Sequence, residues 1–152
     1  LVGLIRNIID LERPLKVFID CIGIGSGVVD RLLEAGYHCV EGVNVAKQAK
    51  LKDKFKNTRA ELWSDMRDWF YQEMDVQIPD SDELHSELCC LGGWHNSNGQ
   101  LVIESKDDLR ARGMPSPDLA DALALTFYNG QYASESAYNP VLIPKHHQNM
   151  FY

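Results

Sequence analysis

Apolar residues at positions 1, 4, 5, 8 and 11 fall at a helical spacing with a thick buried face, which predicts a helix over Leu1 to Leu11. Glu12-Arg13-Pro14 stops it. Leu15 to Cys21 reads as a buried strand that ends in an acid, Asp20, followed by Gly23, Gly25 and Gly27. Ser26 to Ala35 predicts a second helix with Val29, Leu32 and Leu33 inward and Gly36 as its stop. Tyr37 to Val45 is a second strand-like run. Helix, strand, glycine turn, helix, strand is an α/β pattern. Its two strands are expected to lie parallel, joined by a right-handed crossover.

The later pattern is mostly helical. Thr58 and Glu61 predict a capping box, ahead of a stripe of Leu62, Met66, Trp69 and Phe70. Trp63 and Trp69 are expected to pack rather than to stack on bases. Asp80 and Glu83 predict another box, opening a helix that buries Leu84, Leu88 and Leu91 and ends at Gly92-Gly93. A turn-rich loop follows from Trp94 to Gly99, then a short strand from Gln100 to Glu104. Ser105 to Asp108 starts a further helical turn that ends near Gly113. The last helix is expected to open with Ser116 as N-cap and Pro117 in the first turn, and to run to about Tyr132. Its apolar face is Leu119, Ala122, Leu123, Thr126 and Phe127. Residues 1–132 are thus expected to form one domain, and 133–152, rich in Ser, Asn, Pro, Tyr and His, an irregular tail. His146-His147 in that tail is expected to be solvated rather than a metal pair.

Composition narrows the function. A net charge of -7 excludes a globally basic nucleic-acid binder, so DNA contact must use a local patch or a metal ion. The basic segment Lys47, Lys50, Lys52, Lys54, Lys56 and Arg59, offset only by Asp53, reads as solvated surface, with backbone-phosphate contact as the alternative. The four cysteines, Cys21, Cys39, Cys89 and Cys90, form no Cys-x-x-Cys, which argues for reduced, buried thiols and a cytosolic setting. No signal peptide is expected, and no apolar run in the sequence is long enough for a membrane-spanning helix.

The acids carry the chemistry. Asp20 sits at the carboxyl end of a buried strand, where parallel sheets bind ligands. Asp118 and Asp121, three apart, share one side of the last helix. Asp118 also suits the helix dipole, but Asp121 lies on the border of the buried face, where a carboxylate is costly unless it is paired or metal-bound. Such acids can hold Mg²⁺ or Mn²⁺ through hard oxygen ligands, and these ions hydrolyse phosphodiesters by activating water. Glu104 and Asp107 are reserve acids, and Lys106 between them could steady a phosphate or orient water. A rival reading places a dinucleotide on Ile22-Gly23-Ile24-Gly25-Ser26-Gly27, with Glu41 as the ribose acid. There the third glycine of the fingerprint falls on Val28, and Asp20 would repel a pyrophosphate.

Four segments together resemble the C-terminal nuclease domain of the tailed-bacteriophage terminase large subunit, over about residues 1–130. They are Val17-Phe18-Ile19-Asp20 with Gly23-x-Gly25-x-Gly27-Val28-Val29-Asp30; Phe55-x-Asn57-x-Arg59-Ala60-Glu61-Leu62-Trp63; Ile103-Glu104-Ser105-Lys106; and Ser116-Pro117-Asp118-Leu119-Ala120-Asp121-Ala122-Leu123-Ala124. The resemblance implies an RNase H-like (RuvC-like) fold, a mixed sheet flanked by helices. It implies a Mg²⁺- or Mn²⁺-dependent endonuclease that cuts concatemeric viral DNA for packaging. Double-stranded DNA, the terminase small subunit and the portal are the implied partners, in the bacterial host cytoplasm. Asp20 matches the central-strand acid of the family, and Asp118 and Asp121 its last-helix cluster; Lys106 joins them as a candidate catalytic residue. The chain starts at Leu1 rather than Met, and the family's first β-hairpin, with its leading acid, is expected upstream of it. Without those strands the sheet would expose an edge, which predicts a homodimer or another compensating pairing. The alternatives are a catalytically incomplete remnant that only binds DNA or packaging partners, a junction resolvase on the same fold, and the dinucleotide-binding domain.

Overall fold

A computed structural model describes residues 1–72 and 75–128. The tail, with His146-His147, lies outside the described residues, as does the boundary at 132. The order is α1 (Val2–Glu12), β1 (Val17–Asp20), α2 (Ile24–Glu34), β2 (Val40–Val43), α3 (Thr58–Gln72), α4 (Asp82–Cys90), β3 (Gly93–His95), β4 (Leu101–Ile103), α5 (Lys106–Ala111) and α6 (Asp118–Leu125). The architecture is mixed α/β. β1 and β2 are parallel, Val17 facing Val40 and Asp20 facing Val43. β3 and β4 form an antiparallel hairpin, which the expected Trp94–Gly99 loop does not include. Among the described residues these remain two separate two-stranded sheets.

Two cores organise the molecule. In the first, α1 and α2 cover the parallel pair: Ile9, Val28, Val29, Leu32 and Val40 are buried together, with Ile5 and Val17 against them. The other side of α1 stays open, with Leu1, Leu4, Ile8 and Leu11 exposed. In the second, α3, α4 and α6 bury Leu62, Trp63, Met66, Leu84, Ala120 and Ala124. Each fully buried Leu or Met contributes about 2 kcal/mol of apolar transfer.

Helix starts differ from the expected boxes by one residue. Asn57, not Thr58, caps α3: its Oδ1 accepts from Ala60 N at 3.0 Å. Glu61 instead turns inward and accepts Lys50 N and Leu51 N, which ties the preceding loop to the helix. Ser81 rather than Asp80 caps α4. Ser105 and Asp108 do form a capping box on α5. α6 has Pro117 at its N-cap with no side-chain bond of its own, and it ends at Leu125. Its cap comes from across the molecule, since buried Glu87 of α4 accepts from Ala120 N at 2.8 Å. A carboxylate there also suits the helix dipole. The buried face of α6 is Ala120 and Ala124, while Leu119 is exposed. Small residues let α6 lie close to α3 and α4, and this rotates the helix away from the face expected from hydropathy alone.

The cysteines carry no disulfide. They are half-buried or, at Cys89, exposed, rather than buried as expected. Among the described residues no helix is long and apolar enough to cross a membrane.

Candidate active site

β1 ends at Asp20, where its Oδ1 accepts from Ile22 N at 3.0 Å and closes the turn into α2. α6, distant in sequence, packs against β1, and Asp20, Asp118 and Asp121 line one cavity of about 240 Å³. Arg59 and Trp63 from α3, Lys106 from α5, and apolar Val45, Leu62 and Leu125 complete its wall. The three acids expected from the sequence therefore come together, with Lys106 among them.

Their roles separate by depth. The Asp121 side chain is 19% exposed and that of Asp118 is 74% exposed, so Asp121 is recessed and Asp118 stands at the rim. Lys106 Nζ bridges them, 3.0 Å from Asp118 Oδ1 and 3.2 Å from Asp121 Oδ2. Burial works to lower the Lys106 pKa, but hydrogen bonds and charge from the two aspartates outweigh it and hold it above the ordinary lysine value. Asp118 is pushed below the usual carboxylate range by hydrogen bonds from Ser116 and then Lys106. Lys106 thus stays charged and Asp118 ionised at neutral pH.

Arg59 does not sit on the solvated basic surface where the sequence suggested it. Its side chain is 13% exposed and lies in the cavity wall, with Nε 3.0 Å from Asp121 Oδ1 and Nη1 2.7 Å from the Glu104 carbonyl oxygen. Trp63, expected only to pack, also donates its indole N–H to Asp121 Oδ1 at 2.8 Å. Arg59 and Trp63 are four apart on α3, one face of the helix, and that spacing was the signal available in the sequence. The other basic residues lie on the loop between β2 and α3. Lys47 and Lys50 line an adjoining cavity of about 220 Å³ with Asn44, Thr58 and Asp65. Lys52, Lys54 and Lys56 are exposed beyond it, on a loop fastened to β4 through Lys56 N to Leu101 O and Leu101 N to Lys54 O.

The reserve acids are used elsewhere. Glu104 receives both Arg112 nitrogens at 2.8 Å and Gly92 N at 3.1 Å, and Asp107 is exposed beside Arg110. Hydrogen bonds from Arg112, then Gly92, hold Glu104 below its ordinary value of 4.5. A lowered carboxylate stabilises the fold fully above that value, and the contribution is lost as pH falls below it. Urea unfolding from neutral pH down to about pH 3 is therefore expected to show a shallower acid loss in Glu104→Gln than in the parent. Equal slopes would remove the Glu104–Arg112 pair from the acid response.

The donors fit a hard divalent cation in kind, because all three are carboxylates, and the Lys106 ammonium marks a cation position between two of them. They are not drawn into a closed ligand shell: among the described residues no group of three His, Cys, Asp or Glu is assembled to hold a metal. The glycine turn of the dinucleotide alternative serves another purpose. A Cβ on Gly25 would overlap the Asp20 carbonyl oxygen, so this glycine lets α2 start directly against the end of β1.

No protein-family model matches the sequence, and no curated protein matches it. Solved structures do. The nuclease domain of the large terminase subunit of bacterial virus Sf6 aligns with a TM-score of 0.62 at 20% identity, covering 81% of this chain and 69% of that one. The fold is that of a terminase nuclease domain. A variant of that Sf6 domain with manganese and β-thujaplicinol aligns at 0.62 and 21% identity over the same shares, and a variant with calcium at 0.63 and 20%. This fold, RNase H-like, is the one expected from the four sequence segments, and α6 and β1 supply the acids from it.

Proposed function

We propose that this chain is a divalent-metal-dependent DNA endonuclease domain of a phage or prophage packaging terminase. The observation that carries the proposal is the convergence of Asp20, Asp118 and Asp121 on one cavity in a terminase-nuclease fold. The Sf6 domain has been solved with manganese and with calcium, which supports a divalent metal in a domain of this fold. Asp20 and Asp121 would hold Mg²⁺ or Mn²⁺, with Asp118 at the rim. Bound there, the ion supplies Lewis-acid activation of water and of the scissile phosphate. Lys106, kept protonated, offers a cation to a phosphate at the cavity mouth. Lys47, Lys50, Lys52, Lys54 and Lys56 form the strip along which a duplex backbone lies, so binding is expected to weaken as salt rises. The small subunit, the portal and the host cytoplasm follow from the terminase role.

Relaxation of supercoiled plasmid tests this. The parent with Mn²⁺ is expected to nick, whereas the parent with EDTA, Asp20→Asn and Asp121→Asn leave the plasmid intact. Nicking by both aspartate variants would sink the site assignment.

A second reading has its own observation. Asp121 is already matched by Arg59 and Lys106, and no three acids are assembled around a metal position among the described residues. A module that binds DNA without cutting it would look the same. Retardation of duplex DNA by the parent without nicking in Mn²⁺ would favour that reading.

A further inference from the structure

Asp121 is held unequally at its two oxygens. Oδ1 accepts from Trp63 Nε1 at 2.8 Å and from Arg59 Nε at 3.0 Å. Oδ2 takes Lys106 Nζ at 3.2 Å and a long approach of Arg59 Nη2 at 3.5 Å. A carboxylate oxygen has two lone pairs, so the two α3 donors fill Oδ1. Both are fixed. Arg59 also donates to the Glu104 carbonyl at the end of β4, and its guanidinium lies over the Trp63 ring, 5.9 Å from the centroid. Trp63 belongs to the helical core. Withdrawing either would strand a recessed polar group, which costs more than the bond itself. The main partner of Oδ2 is different in kind. The Lys106 side chain is 42% exposed, and its long stem can carry the ammonium out to water.

We propose that Arg59 and Trp63 are positioning residues that occupy Asp121 Oδ1 and leave Oδ2 as the oxygen offered to a divalent cation. The inference rests on the metal-dependent reading above. It means that the Asp121 rotamer is set by α3 before a cation arrives, so binding does not have to order that side chain. It also explains why a tryptophan stands here rather than another large apolar residue, since packing alone would not require an N–H directed at a carboxylate.

The test is calorimetric titration of Mn²⁺ into the full chain, with thermal melting of each variant alongside. Trp63→Phe removes the N–H and keeps a ring in the core. Arg59→Lys keeps the charge but cannot bond Asp121 and the Glu104 carbonyl together. Supporting carboxylate ligands in this way is worth about 10–100-fold in metal affinity. Both variants are therefore expected to bind Mn²⁺ at least about 10-fold more weakly than the parent, with Trp63→Phe melting close to the parent. If Trp63→Phe does not fold, Arg59→Lys carries the result alone. Parent-like Mn²⁺ affinity in a folded variant would overturn the proposal while leaving the nuclease reading intact. A parent that binds no Mn²⁺ would overturn the metal reading itself, and the positioning role with it.

Discussion

Asp121→Ala is expected to lose plasmid nicking entirely and about 3 kcal/mol of stability, a fall of about 10 °C in melting temperature. The two losses have one origin. The Asp121 carboxylate is the negative partner of Arg59, whose side chain is 13% exposed, and it also accepts from Trp63 and Lys106. Removing it leaves a recessed guanidinium with the Glu104 carbonyl and no counter-charge. Breaking one side of such a pair costs far more than the pair gains over an apolar replacement. Asp121→Asn separates the two effects. It keeps the shape and one acceptor oxygen, so it is expected to melt closer to the parent while nicking as little as the alanine variant. Thermal melting and nicking measured on the same preparations decide this. An alanine variant as stable as the parent would mean that Arg59 is solvated and not paired.

Gly25→Ala is expected to destabilise by about 3 kcal/mol, at the upper end for overpacking. The added methyl would overlap the Asp20 carbonyl oxygen and lie 2.9 Å from its carbon, both backbone atoms that cannot rotate aside. Relief requires α2 to move off the end of β1, which displaces Asp20 and with it one wall of the cavity. Gly27→Ala is the control. Nothing lies within 4 Å of a Cβ at Gly27, which sits inside α2, so alanine there is expected to stabilise by about 0.5–1 kcal/mol. Opposite signs two residues apart, read from chemical denaturation, would confirm that the glycine-rich turn is built for a close strand–helix approach. A neutral Gly25→Ala would show that α2 can back away freely.

Much of the fold was legible because its periods are local. β1 and β2 lie within the apolar runs that predicted them, α1 runs one residue past its expected end and α2 starts two residues before its expected start, and the parallel pairing follows from a strand, a helix and a strand in that order. The expected box on α3 did not form because Glu61, its acid, is recruited by the backbone N–H groups of Lys50 and Leu51. The orientation of α6 was not legible. Hydropathy favours Leu119 inward, but close packing on α3 and α4 selects Ala120 and Ala124. β3 was missed because its three residues, Gly93, Trp94 and His95, are all exposed and show no alternation.

The sequence by itself determined the inventory of the candidate site. An acid closing a strand, which proves half-buried rather than buried, and two acids in the first turn of a late helix are local facts, readable from residue type and spacing. What neutralises those acids was decided only by the tertiary structure. Arg59 and Asp121 are 62 residues apart, and Trp63 and Asp121 are 58 apart. The spacing of Arg59 and Trp63 puts both on one face of α3, but nothing local says that this face meets Asp121. The packing of α3 on α6 brings Arg59 and Asp121 together, and desolvation in the cavity wall makes each charge need the other.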